Sequence, residues 1–182
     1  MAETKIALLR GINVGKAKRV AMADLRKLVA ELGYSDVQTL LNSGNIVFRG
    51  KGTNEMVAKA IEEGIAERLS VSAAVTVISA QELARSLAEN PLLDLADNPS
   101  RLLVAVTSTA KDAARLAPLT KRDWSPEAFA LGSRVAYLWC PDGVIKSTLS
   151  AAVNKELGAA VTARNWNTTT KLLALAESLE TS

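Results

Sequence analysis

A chain of 182 residues with a formal net charge of +3 and no histidine excludes several chemistries at once. Imidazole acid–base catalysis, Ser-His and Cys-His nucleophile pairs and histidine metal sites are all absent, and a single cysteine, Cys140, permits neither an internal disulfide nor a cysteine-rich zinc site. Apolar residues at 48% and charged residues at 23% suit a globular protein with a sizeable core, and aromatics at 4% make that core aliphatic.

The isoelectric point near 9.1 is too mild by itself to argue for nucleic acid. The first residues are polar, and no apolar run approaches membrane-spanning length. The expectation is a reducing, cytoplasmic setting, with no membrane, metal or cofactor.

In chain order, Lys5 to Leu9 reads as a short buried strand. Leu25, Leu28, Val29 and Leu32 share one helical face, and Gly33 ends that helix. Val37 to Leu41 and Asn45 to Phe48 read as strands joined by the turn Asn42-Ser43-Gly44. Val57, Ile61, Ile65 and Leu69 form a four-residue stripe on a second helix, and Ala74 to Ile78 is a β-branched strand. Gln81 to Glu89 follows as a helix, then a stretch bounded by Asn90-Pro91 and Asn98-Pro99.

The second half repeats the order. Leu102 to Val106 is a strand, Lys111 to Leu116 a short helix bounded by Pro118, and Ala128 to Leu131 with Arg134 to Cys140 a hairpin across Gly132-Ser133. Leu149, Val153 and Leu157 mark a helix, Ala159 to Ala163 a last strand and Thr169 to Leu179 a terminal helix. The fold class is therefore α+β, a tandem duplication of a ferredoxin-like βαββαβ unit with an extra linking helix and a C-terminal helix. The boundaries are 1–80, a helix and proline-bounded linker at 81–100, and 101–182. A single mixed sheet drawn from both halves is the alternative.

The richest stretch is Arg10-Gly11-Ile12-Asn13-Val14-Gly15-Lys16, directly behind the first strand, with Lys18 and Arg19 following. Glycines and cations between a strand and a helix can form an anion-binding corner. It is neither a Walker loop, since Lys16 precedes Ala17, nor a dinucleotide fingerprint. In a split βαβ unit the first loop and the hairpin between strands two and three share one end of the sheet. That places Arg10, Asn13 and Lys16 beside Ser43, Gly44 and Asn45. Arg164, Asn165 and Trp166 leave the opposite end of the second sheet, and would join the first group only if the halves pack with their ends inverted. A tight turn at Gly11 and Gly15, hairpin chemistry at Asn42 to Asn45, a cap from Asn167 or Thr168, and a packing role for Trp166 are the competing structural readings.

K-I-A-L-L-R-G-I-N-V-G-K, V-A-M-A-D-L, L-N-S-G-N-I-V-F and T-A-R-N-W-N-T-T-T-K-L closely resemble the domain of unknown function 1697 family. The resemblance implies the same duplicated architecture and a bacterial-type cytoplasmic protein, and implies no activity. It carries over three polar segments, Arg10 to Gly15, Asn42 to Asn45 and Arg164 to Trp166. Ala21 and Ala163 depart from the proline and threonine expected there.

Three functions compete. The first is a binding module for a phosphate-bearing or other anionic ligand, a nucleotide or a nucleic-acid backbone, at Arg10, Gly11, Asn13, Gly15, Lys16, Ser43, Gly44, Asn45, Arg164, Asn165 and Trp166. The second is an enzyme with an electrostatic Arg/Asn/Ser site lacking His and metal. The third is a non-catalytic structural or interaction protein. Binding of RNA to the sheet face is disfavoured, because strand one is I-A-L-L and strand three offers only Phe48 as an aromatic.

Overall fold

The computed structural model describes residues 1–182. They form two compact units, Met1–Gln81 with Leu172–Ser182, and Glu82–Lys171.

Unit 1 runs β1 (Glu3–Arg10), α1 (Met22–Glu31), β2 (Ser35–Thr39), β3 (Asn45–Gly50), α2 (Asn54–Leu69) and β4 (Ala74–Ser79). Its sheet has the order β2-β3-β1-β4, with each neighbouring pair antiparallel. β1 is therefore central and buried on both faces. Ala7 and Leu9, with Ile46, Phe48, Val75 and Val77, form the face that joins Leu25, Leu28 and Val29 of α1 and Val57, Ile61 and Ile65 of α2. Phe48 is fully buried and its ring centroid lies 5.0 Å from that of Tyr34, so it offers no surface for base stacking. The alternate positions Ile6, Leu8, Val47 and Ile78 are equally buried. Thr53 caps α2 by accepting from the Met56 amide at 3.2 Å. Lys5 is also fully buried, where its ammonium pairs with Glu3 and donates to Asn54 Oδ1 at 2.9 Å.

α3 (Ala80–Ala88) follows β4. Unit 2 then runs β5 (Leu102–Thr107), α4 (Ala110–Ala114), β6 (Ala128–Leu131), β7 (Val135–Trp139), α5 (Thr148–Leu157) and β8 (Val161–Asn165), with the order β6-β7-β5-β8 and antiparallel pairing throughout. One face carries Leu103, Ala105, Ala136, Leu138 and Cys140 against Leu149, Val153 and Leu157 of α5 and against Leu116 and Leu119. On α3, Leu83 and Leu87 are buried, and the Tyr137 hydroxyl donates to the Ser86 carbonyl at 2.6 Å. Burial, with a smaller push from Glu89, raises the Tyr137 phenol to about 12.

The duplicated βαββαβ class stands, and two separate four-stranded sheets overturn the single mixed sheet. Local differences have clear causes. Pro118 begins a short 3-10 helix, Ala117–Lys121, instead of stopping one, because its missing N–H costs nothing in a first turn. Gly158–Ala160 is another such turn, so the last strand starts at Val161 and runs through Asn165. α6 (Trp166–Glu180) follows without a loop. The sequence reading gives the terminal helix wholly to the second half, whereas residues 172–182, with Leu172, Ala176 and Leu179 buried, cluster with unit 1. No helix is long and apolar enough to cross a membrane.

Candidate functional site

The corner of unit 1 is built by the end of β1, the loop into α1 and the β2–β3 hairpin. Antiparallel pairing of β1 with β3 brings the end of β1 beside the hairpin, and the Leu9 amide donates to the Gly44 carbonyl at 2.8 Å. Gly44 has φ +89°, and a Cβ there would stand 2.7 Å from Leu9 Cβ and 2.9 Å from Ile12 Cδ1. Both the backbone angle and the close approach demand glycine.

Asn13 holds the loop. Its φ is +53°, a left-handed conformation that asparagine tolerates better than most residues. Its main-chain amide donates to the Lys18 carbonyl at 3.0 Å. Its side-chain Oδ1 accepts from the Val20 amide at 2.8 Å, and Nδ2 donates to the carbonyls of Val20 at 2.9 Å and Asn42 at 2.7 Å. One side chain thus closes the loop on itself and pins it to the hairpin. Between these ties, Val14 and Ala17 form a bridge around Gly15, whose φ is +61°, and Lys16. Ile12 and Val20, at 3% and 5% exposure, are the loop's anchors in the core.

Asn45 is fully buried, with Nδ2 donating to the Leu40 carbonyl at 2.7 Å and to Ser43 Oγ at 3.0 Å. Asn13 and Asn45 therefore spend their side-chain amides on the scaffold. Gly11 and Ser43 are exposed and Arg10 is half-buried. Lys16, Lys18 and Arg19 are all exposed and none enters an ion pair. Lys18 has φ +49°, so four of the loop's backbone angles, at Gly11, Asn13, Gly15 and Lys18, are left-handed. Beside the loop lies an open depression of about 270 Å³ lined by Asn13, Arg19, Val20, Ala21, Met22 and Asn42. It meets the first turn of α1, whose N-cap residue Ala21 makes no side-chain capping bond. The first amides of α1 are thus left for solvent or a ligand. Asp24 sits in the same turn.

The third polar segment belongs to unit 2. Arg164 and Asn165 are the last residues of β8, paired with Val104 and Leu103, and Trp166 opens α6. The expected polar loop is absent, because strand passes directly into helix. Asn165, not Asn167 or Thr168, is the cap, its Oδ1 accepting from the Thr168 amide at 2.9 Å. Arg164 donates to the Ala163 carbonyl at 3.0 Å, and burial lowers its guanidinium to about 10, still fully charged at neutral pH. Cys140 is buried, its thiol is pushed up to about 11 mainly by burial, and it donates to Ser147 Oγ at 3.3 Å. It is a core residue, not a nucleophile.

A family model, described as a protein of unknown function (DUF1697), matches residues 2–137. The chain belongs to the DUF1697 family. The match takes in the whole of the unit 1 corner and stops before β8, so Arg164 to Trp166 lie outside it. No curated protein matches this DUF1697 chain. Among solved structures, the conserved bacterial protein SP0830 from Streptococcus pneumoniae is similar, with 21% identity, 97% of this chain and 99% of that chain covered, and a TM-score of 0.77. That likeness is one of fold. Protein BT0572 from Bacteroides thetaiotaomicron aligns over 94% of this chain and 97% of its own, with 13% identity and a TM-score of 0.24.

What the sequence missed at this corner is the division of labour. The side-chain amides of Asn13 and Asn45 are bonded to the scaffold, and Lys16, Lys18 and Arg19 share one exposed turn. The available signal was Asn13 itself. An asparagine between two glycines is a residue suited to a left-handed backbone position, where its side chain can bond to nearby main-chain groups.

Proposed function

We propose that the Gly11–Ala21 loop of unit 1 binds a phosphate-bearing anion, a nucleotide or a nucleic-acid backbone. The observation that carries this reading is the set of exposed cations, Lys16, Lys18 and Arg19, without ion pairs on a turn whose ends are locked by Asn13. A braced turn loses little freedom when it meets a ligand, so its charges act at low entropic cost. The neighbouring first turn of α1, free of a side-chain cap, adds amide donors and the positive end of a helix dipole. In this reading Lys16, Lys18 and Arg19 touch the ligand, Gly11 and Gly15 shape the turn, and Asn13, Gly44 and Asn45 hold it. Arg10 and Ser43 border it. A reducing, cytoplasmic setting accords with one buried thiol, Cys140.

The test is titration of the full chain with tripolyphosphate, ATP and a short single-stranded oligonucleotide at several salt concentrations. Three neutralised phosphates on a single strand give a log–log salt slope of roughly −2. Replacing Lys16, Lys18 and Arg19 together by alanine should weaken binding by about tenfold or more while the melting temperature holds. No binding by the parent protein, or equal binding by the triple variant, removes the proposal.

The bracing reading has its own specific support, since Asn13 and Asn45 are committed to backbone carbonyls. It predicts that Asn13→Ala destabilises unit 1 and that the triple cation variant changes nothing.

A further inference from the structure

The corner of unit 1 presents apolar side chains beside its cations. Val14, between Asn13 and Gly15 on the loop, is 68% exposed, and Leu41, before Asn42 on the hairpin, is 56% exposed. The Asn13 side chain donates to the Asn42 carbonyl at 2.7 Å, so these two neighbours stand at one end of the sheet. The other large apolar residues that unit 1 exposes are Met1, at the terminus, and Met56, on α2. Leu41 also has φ +62°, a left-handed backbone that strains a leucine and that asparagine or glycine adopts more readily. Folding and solvation both favour a polar residue there. A strained, exposed apolar residue points to a use outside the fold.

Charge on the loop and hairpin is of one sign. Lys16, Lys18 and Arg19 are exposed and enter no ion pair. No carboxylate occurs between Glu3 and Asp24, or between Asp36 and Glu55, so neither segment carries one. On the neighbouring helices, Asp24 lines a separate depression with Lys27, Glu31 and Arg68, and Glu62 accepts from the Val75 amide at 2.7 Å.

Shape and charge select the occupant. The walls of the depression beside the loop include neither Val14 nor Leu41, so these side chains suit a surface rather than a small molecule seated within it. They do not extend a base-stacking platform, because unit 1 holds only Tyr34 and Phe48 as aromatics and their rings pack 5.0 Å apart. Apolar tips flanked by unpaired cations match a bilayer, whose acyl boundary takes the first and whose anionic headgroups take the second. We infer that this corner docks on an anionic phospholipid bilayer, with Val14 and Leu41 entering the headgroup–acyl boundary and Lys16, Lys18 and Arg19 meeting lipid phosphates. This rests on the anion reading of the loop and names the phosphate as that of a lipid headgroup. Such a contact lies on the membrane and needs no helix that crosses it.

The test is co-sedimentation of the full chain with vesicles of phosphatidylcholine, alone or mixed with an equal part of phosphatidylglycerol, run beside the titrations with tripolyphosphate, ATP and oligonucleotide. Binding should require phosphatidylglycerol and weaken with added salt. Val14→Ser/Leu41→Asn should weaken vesicle binding by about tenfold or more while leaving soluble anions bound as before. Its melting temperature should not fall, since both side chains are exposed and asparagine tolerates a left-handed angle. Replacing Lys16, Lys18 and Arg19 together by alanine should weaken vesicle binding on the order of a hundredfold. Vesicle binding without soluble-anion binding supports the inference and confines the loop to lipid phosphate. Soluble-anion binding without vesicle binding overturns it and spares the anion reading, whereas binding of neither removes both. Equal binding to the phosphatidylcholine vesicles, vesicle binding indifferent to Val14→Ser/Leu41→Asn, or oligonucleotide binding lost in that variant also overturns it. So does a concentration-dependent dimer that the variant dissociates, in favour of a second copy of this chain.

Discussion

The two units share one strand order and treat the same corner in opposite ways. In unit 2 the step from β5 to α4 takes only Ser108 and Thr109, the Thr107 amide donates to the Arg134 carbonyl at 3.0 Å, and Thr109 caps α4 by accepting from the Asp112 amide at 3.1 Å. Arg134 closes the corner, its guanidinium donating to the Thr107 carbonyl at 2.8 Å and pairing with Glu82 at 3.0 Å. In unit 1 the equivalent amide bond, Leu9 to Gly44, is kept, but the step to α1 runs from Gly11 to Ala21 and ends without a side-chain cap. The topology therefore needs neither the long loop nor its cations. A two-residue connection with a threonine cap satisfies the same geometry more cheaply. The extra residues of unit 1, braced by Asn13 and bearing Lys16, Lys18 and Arg19, are the part of the molecule that the fold does not explain.

The sharpest way to break this comparison is at the hairpin glycines. Gly44→Ala forces a Cβ to 2.7 Å from Leu9 Cβ at φ +89°, and should cost about 3 kcal/mol, a loss on the order of 10 °C in thermal unfolding. At the matching turn of unit 2, Gly132 has no left-handed φ and its added Cβ meets Val135 O at 3.1 Å. Gly132→Ala should cost about 1 kcal/mol. Equal effects would show that the unit 1 corner is no more constrained than its counterpart.

The braces come next. Asn13→Ala removes three side-chain hydrogen bonds and should cost about 2 kcal/mol. Thr109→Ala, which removes one cap, should cost about 1 kcal/mol. Denaturant titration of both variants orders the two corners directly.

A smaller effect separates the units by pH. Burial opposes ionisation of Glu127, but its bonds from Ser147, Leu149 and Thr148 outweigh it and hold the carboxyl below its ordinary value. A carboxyl lowered by folding stabilises the protein above its unfolded value, near 4.5, and that stability is lost as pH falls through the lower folded value. Glu127→Gln should therefore lower the melting temperature at neutral pH and flatten its decline in acid. An acid slope unchanged by the substitution would remove Glu127 from the α5 cap.

The smallest expected change is a gain. Ala21 has φ −73°, which proline adopts without strain, and sits at the start of α1. Ala21→Pro should add about 0.5 kcal/mol by restricting the unfolded chain. It should also leave anion binding at the adjacent depression intact, since it supplies no side-chain cap.

Much of the fold was legible because its signals are local or periodic. The Val57/Ile61/Ile65 stripe of α2, the turn at Asn42 to Gly44 and the β-branched run of β4 each follow from a spacing or a turn residue. The adjacency of the Arg10–Arg19 loop and the hairpin was also legible, because strand order in a βαββαβ unit fixes which loops share an end. The roles within that corner were not. Asn13 and Asn45 carry the same side chain whether they face a ligand or a carbonyl, and only the positions of Val20, Leu40 and Asn42 show where their amides go. The exposure of Leu41 was hidden too. Val37 to Leu41 reads as a strand, whereas β2 ends at Thr39 and Leu41 stands in solvent at φ +62°.

Taken alone, the sequence determined the fold class of the protein and the adjacency of its first loop to the β2–β3 hairpin. Hydrophobic period, turn chemistry and the absence of histidine are properties of neighbouring residues or of composition. Tertiary structure decided which polar residues are spent inside. It made Asn13, Asn45 and Asn165 partners of main-chain groups, and it left Lys16, Lys18 and Arg19 in solvent. The physical reason is that a buried amide must find its hydrogen-bond partners wherever the folded chain places them, and those partners are set by contacts between distant segments.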